Sequence, residues 1–136
     1  MKLSAHSKNR LLNSFSLWDV DQEYSKNISD YLINGWDPGS FYSAVLANDF
    51  VSAMASSHPG NRIDTLKRLA VWIGNVMPGH AWGSHAAVKY WLELGDDQRR
   101  TILEQSNLIY SSKEEMWLIL KDEPTGTPYS LDYDPI

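Results

Sequence analysis

Asp37-Pro38-Gly39-Ser40-Phe41-Tyr42-Ser43-Ala44-Val45-Leu46-Ala47-Asn48-Asp49-Phe50-Val51-Ser52-Ala53-Met54-Ala55-Ser56-Ser57 is a long, mostly apolar stretch behind a turn signal. Its reading decides the fold. Asp37 suits an N-cap, and Pro38 suits the first helical position because that amide needs no intrahelical partner. Tyr42, Leu46, Ala47, Phe50, Val51, Ala53 and Met54 cover most of a helical circumference. At 100° per residue, Asn48, Asp49, Ser52 and Ser56 share the remaining arc of about 100°. The stretch therefore predicts one long helix from Asp37 or Pro38 to about Ser57, nearly central, with one narrow polar strip.

Outward from it, turn signals at 35–39, 58–60, 78–79, 95–97 and from Pro124 onward cut the chain into short segments. Each segment has helical rather than alternating periodicity, and no Asn-Gly or Asp-Gly hairpin between alternating runs is found. Toward the N-terminus, Tyr24, Ile28, Tyr31 and Leu32 predict a helix over 22–34, ended by Gly35. Leu11, Leu12, Phe15 and Trp18 form a shorter helix or a docked arm. Toward the C-terminus, Asn61 caps a helix reaching about Val76, with Ile63, Leu66, Leu69, Ala70 and Ile73 inward. A further helix runs from Gly83-Ser84 to Gly95, with Ala87, Val88, Trp91 and Leu92 inward. Another spans about 97–107, anchored by Ile102 and Leu103. A last one follows Ser112, which has capping-box spacing to Glu115, and Met116, Trp117 and Leu120 are its apolar positions. The expected fold class is all-α: a compact single-domain bundle of five to six short helices over residues 1–122. An irregular acidic tail over 123–136, holding Tyr129, Leu131 and Tyr133, follows it.

Composition narrows the chemistry. The 136 residues are 43% hydrophobic and 12% aromatic, enough for one core and too aromatic for a disordered chain. There is no cysteine, which removes disulfides, thiolate catalysis and Cys-ligated zinc. A net charge of −5 gives no bulk basic surface for phosphate backbones, so direct nucleic-acid binding is not expected. No apolar run reaches the roughly 20 residues that span a bilayer, and residues 1–10 lack the apolar core of a signal peptide. The expectation is a soluble cytoplasmic protein without a membrane partner.

Two corners carry the candidate binding chemistry. Gly39-Ser40-Phe41 opens a helix, where free amides and the helix dipole favour an anion. Ordinary helix initiation by Asp37 and Pro38 explains the same residues. Trp82-Gly83-Ser84 repeats the theme before another helix. If the two converge, they form a pocket with two sets of amide donors. Trp36, Trp72, Trp82 and Trp91 offer rings for stacking on a base, although six tryptophans in a helical domain also serve as core. Asn48 and Asp49 read as mid-helix polar residues, with Asn48 bonding a neighbouring loop inside the core. Arg62 or Arg68 supplies a phosphate partner. His6, His58, His80 and His85 lack metal-site spacing, and no metal or cofactor is expected. A general base built from His80 and Asp49 lacks a recognisable nucleophile.

These residues carry a resemblance. Pro38-Gly39-Ser40-Phe41, Ala44-Val45-Leu46, Asn48-Asp49, Ala53, Asn61-Arg62, Asn75, Pro78, Trp82-Gly83-Ser84 and Trp91 resemble a widespread group of small bacteriophage and prophage proteins without an established activity. The likeness covers about residues 31–92. Members commonly have an aliphatic residue where this chain has Tyr42, and Ala-Asp where it has Ser57-His58. The resemblance does not extend to the flanks, 1–29 and 95–136. The resemblance implies phage origin, an accessory role and the cytoplasm of a bacterial host.

Small accessory phage proteins without a catalytic signature commonly act by stoichiometric binding. The leading expectation is an antagonist of a host antiviral defence protein or complex. The alternatives are a sponge for a nucleotide immune signal, bound at the helix N-termini, and a small hydrolase using Asp49 and His80. The apolar circumference of the central helix also points to a homodimer.

Overall fold

A computed structural model of the chain describes residues 1–56 and 62–122, and it breaks the long helix in two. α3 runs Ser40–Leu46 and α4 runs Phe50–Ser56. Asn48, expected in mid-helix, has φ +61°. Its amide bonds Val45 O (3.1 Å), and the Asp49 amide bonds Ala44 O (2.9 Å). That pair of bonds is a Schellman closure, with Asn taking the left-handed position that glycine usually occupies. The same closure ends two other helices, at Asp19 (φ +55°) and Asn107 (φ +60°). The start of α3 is shifted too. Gly39 (φ +90°) is its N-cap, while Asp37 Oδ1 accepts from the Gly39 amide (2.9 Å).

The remaining helices are α1 (Ala5–Leu17), α2 (Gln22–Asn34), α5 (Ile63–Val76), α6 (His85–Glu93), α7 (Asp96–Gln105) and α8 (Ser112–Asp122). A single 3-10 turn, Gly79–Ala81, precedes α6. The described residues thus hold eight α-helices and no strand, which makes the chain all-α with more helices than the five to six expected. The increase has two sources: the N-terminal arm is a full helix, and the long helix is split. Asn61, Ser57, His58 and the 123–136 tail lie outside the described residues.

α2 supplies much of the core. Tyr24, Ile28, Tyr31, Leu32 and Ile33 are all buried. Burial pushes the Tyr31 phenol well above its ordinary pKa, and its hydroxyl donates to Ala81 O (2.8 Å). Trp91 Nε1 donates to Tyr31 O (2.9 Å), tying α6 to α2. Trp72 stacks on Phe15 with ring centroids 4.2 Å apart and donates to Ser14 Oγ (3.3 Å), tying α5 to α1. Trp72 and Trp91, considered for base stacking, are therefore core residues.

Gly35 ends α2 in the left-handed conformation, as expected. The buried guanidinium of Arg99 lies over it, donating to Ile33 O (3.2 Å), Leu94 O and Asp96. The last helix departs from the expected capping. Ser111, not Ser112, forms the reciprocal box: Ser111 N donates to Glu114 Oε1 (3.3 Å) and Glu114 N to Ser111 Oγ (3.1 Å). That one-residue shift frees Glu115 to turn inward. It is wholly buried, accepts from the Ser4 amide (3.0 Å) and pairs with Arg100. Met116, Trp117 and Leu120, expected inward, are exposed instead.

Candidate functional site

α3 positions both corners, and it separates them. Gly39-Ser40 stands at its first turn. The Gly83 amide donates to Leu46 O (2.7 Å), so the Trp82-Gly83-Ser84 corner docks on its last turn. Seven residues at 1.5 Å per residue put about 10 Å between them. Neither corner lines the cleft described below. Ser84 caps α6, its Oγ accepting from the Ala87 amide (3.0 Å). Trp82 is half-buried against the core, and Phe41 is half-buried beside Tyr42 (ring centroids 5.0 Å) and Tyr24 (6.4 Å). Both corners remain exposed on their glycine side, with nothing within 4 Å of a Cβ built on Gly39 or Gly83.

Asn48 and Asp49 go elsewhere. Asn48 is exposed and does not reach into the core, because the left-handed turn carries it to the surface. Asp49 caps α4 through its side chain, Oδ1 accepting from the Ser52 amide (3.2 Å). Its other oxygen, Oδ2, lies 2.9 Å from His85 Nε2. The hydrogen bond with His85, helped by the Ser52 amide, holds the Asp49 carboxyl below the usual carboxylate range. The imidazole beside Asp49 is therefore that of His85 on α6. His80 is exposed in the 3-10 turn, and no hydrogen bond or ion pair joins it to Asp49 among the described residues. Arg62 precedes α5, exposed, with its guanidinium 3.6 Å from Asp64. Among the described residues no three His, Asp or Glu side chains could hold a metal ion. No described helix is long and apolar enough to cross a membrane.

A concavity lies between α4 and α5. It is a cleft of about 420 Å³ whose apolar wall includes Val45, Phe50, Ala53, Met54, Ile63 and Leu66. Asn48, Asp49 and Lys67 give it its polar points. Phe50 and Ile63 are 73% and 85% exposed, and the adjoining Val51 is 76% exposed. The sequence pattern puts Phe50 and Val51 on the apolar circumference of a nearly central helix and Ile63 on the inward face of the next. Of the seven residues in α4, only Ala53 is buried, because a helix this short rests on one small contact. The signal that could have exposed them was Asn48-Asp49 itself: Asn in a left-handed closure followed by an Asp cap starts a new helix in a new direction.

The arrangement offers an apolar cleft with one carboxylate and one ammonium at its border. Comparisons with protein-family models, curated proteins and solved structures return no match to the chain.

Proposed function

We propose that this chain acts by stoichiometric binding of another protein, and that the α4–α5 cleft is the contact. One observation carries the reading: Phe50, Val51 and Ile63 are large, apolar and at least 73% exposed around a cleft of about 420 Å³. Exposed apolar patches of this kind mark interaction surfaces. The occupant fitted by this chemistry is a protein segment with a bulky apolar anchor, flanked by a basic group toward Asp49 and an acidic group toward Lys67. The phage-like motif over residues 31–92 supports a target in a host antiviral defence complex, met in the cytoplasm of the bacterial host.

The test is infection. Expression of the chain in bacteria carrying defined defence systems restores phage growth against the targeted one, and Phe50→Asp abolishes rescue while circular dichroism and melting stay unchanged. Rescue undiminished in both Phe50→Asp and Ile63→Asp removes the cleft from the mechanism.

The open corners at Gly39-Ser40 and Gly83-Ser84 favour a second reading, capture of a nucleotide signal. Both glycines have positive φ (+90° and +107°), both are exposed, and space above each is free. They stand at the two ends of α3, about 10 Å apart, so each corner would act alone or across copies. Millimolar cyclic or linear nucleotides raise the melting temperature by several degrees on this reading. No shift, with no nucleotide retained in native mass spectra, eliminates it.

A further inference from the structure

α4 rests on little. Of its seven residues only Ala53 is buried. At 100° per residue, Phe50 lies about 60° and Met54 about 100° round from Ala53 on one flank. Both line the cleft. The facing wall is α5, where Ile63, Leu66 and Ala70 turn apolar surface to the same space. Two apolar walls thus stand across about 420 Å³ from each other. Water between such walls is unfavourable in proportion to the area it wets. An approach of α4 to α5 is therefore favoured wherever nothing restrains it.

The restraint is Asp49. Its Oδ1 accepts from the Ser52 amide in the first turn of α4 (3.2 Å), and its Oδ2 lies 2.9 Å from His85 Nε2 on α6. One carboxylate fastens the start of α4 to another helix. The Asp49 and His85 side chains are 32% and 69% exposed, so water competes for the contact and it opens readily. Asn48, just before it, is exposed in the left-handed turn that ends α3, and the chain can swivel there without unpacking a core side chain. Ala53 presents only a methyl group, on which a helix rolls with little steric resistance. A roll of about 30° carries a side-chain tip, about 5–6 Å from the helix axis, through about 3 Å.

We propose that α4 is a lid: when the Asp49–His85 contact opens, α4 rolls on Ala53 and lays Phe50 into the chain's own cleft, toward Ile63 and Leu66. The cleft suits a bulky apolar anchor, and Phe50 is such a group tethered at its edge. The closed form is the minor one, since Phe50 rests 73% exposed. The consequence for a partner rests on the reading of the cleft as the protein contact. A partner's anchor enters only the open form, and His85 sets how much of the chain is open. The roll itself needs no partner.

Fluorine NMR of the full chain tests it. 4-Fluorophenylalanine labels the three phenylalanines, Phe15, Phe41 and Phe50. Shifts of packed helices fall in the microsecond–millisecond range that relaxation dispersion reads. The expected result is dispersion at Phe50 and none at Phe15, which is stacked on Trp72. His85→Ala removes a contact of the strength of an exposed ion pair and raises the closed population about threefold. Ala70→Trp, at an exposed position, fills the cleft from the α5 wall and abolishes the Phe50 dispersion with circular dichroism unchanged. A Phe50 resonance without dispersion in both the wild type and His85→Ala overturns the proposal. So does a closed population that His85→Ala leaves unchanged, or dispersion that survives Ala70→Trp, which would mean that α4 frays instead of rolling. These readouts involve no partner, so the lid can fail while infection rescue still supports the cleft, and the cleft can fail while the roll is still measured.

Discussion

Around Glu115 a carboxylate is wholly buried, held by Arg100 and the Ser4 amide, and it joins the start of the chain to α7 and α8. Around α4 the reverse holds: Phe50 and Val51 stand in solvent, and only Ala53 is buried. One region puts charge inside and the other puts hydrocarbon outside, and each inverts the usual placement. A buried ion pair contributes little net stability against an apolar replacement, but removing one partner leaves the other charged and unpaired. An exposed phenyl ring contributes little to folding and is available for association. The contrast separates what holds this molecule together from what it can offer a partner.

The largest effect should come from the buried side. Glu115→Ala strands the Ser4 amide and leaves the Arg100 guanidinium with Glu104 alone (2.9 Å), at a cost of about 3 kcal/mol. Thermal melting should then fall by about 10 °C or more for a chain of this length. A shift under 3 °C would show that water reaches the cluster and would break the comparison. Next comes Gly35→Ala. A Cβ there meets Arg99 Nη1 at 2.5 Å and Cζ at 2.9 Å, and φ is +63°. Displacing a buried guanidinium and straining the backbone costs about 2 kcal/mol, read by urea unfolding. Asn48→Ala should cost about 1 kcal/mol because alanine tolerates the left-handed region poorly, whereas Asn48→Gly should stay within about 0.5 kcal/mol of wild type. Equal costs for the two would mean that the side chain of Asn48, not its φ, closes α3.

The same contrast explains what was legible in the sequence. α2 was readable because Tyr24, Ile28, Tyr31 and Leu32 sit at helical spacing and Gly35 stops the helix with the residue best suited to it. α6 was readable through Ser84 and the inward Val88 and Trp91. The α3–α4 break was not, because Asn48 performs a glycine's task and leaves the apolar pattern uninterrupted. Three helices end this way, at Asp19, Asn48 and Asn107, so a search for glycine alone misses all three. α8 was misread for another reason. Its apolar positions do follow helical spacing, but Glu115 finds Arg100 from another helix, and a buried charge pair is a tertiary event that local spacing does not encode. For the candidate site, Asp49 was found with the wrong imidazole, since His80 and His85 differ only in where the chain carries them. Phe50, Val51 and Ile63 were found as apolar, and their exposure depends on how short α4 proved to be.

On the exposed side, Phe50→Asp should change stability by no more than about 0.5 kcal/mol, because little contact is lost. A cost above 2 kcal/mol would mean that the ring is packed in solution, and the cleft would lose its role.

The smallest effect is the most local. The Asp49 carboxyl is held low first by its hydrogen bond with His85 and then by the Ser52 amide. A carboxyl depressed in the folded state stabilises it above the unfolded value of about 3.9, and that contribution disappears as pH falls through the lowered value. The α4 cap should therefore hold at neutral pH and loosen below about pH 4. His85→Ala removes the largest cause, so Asp49 should titrate closer to the ordinary carboxyl range, as read from its ¹³C carboxyl shift. The Ser52 contact remains in that variant, so the return should be partial. A titration unchanged by His85→Ala would assign the whole depression to the helix start, and would mean that α6 leaves α4 free to move at the mouth of the cleft.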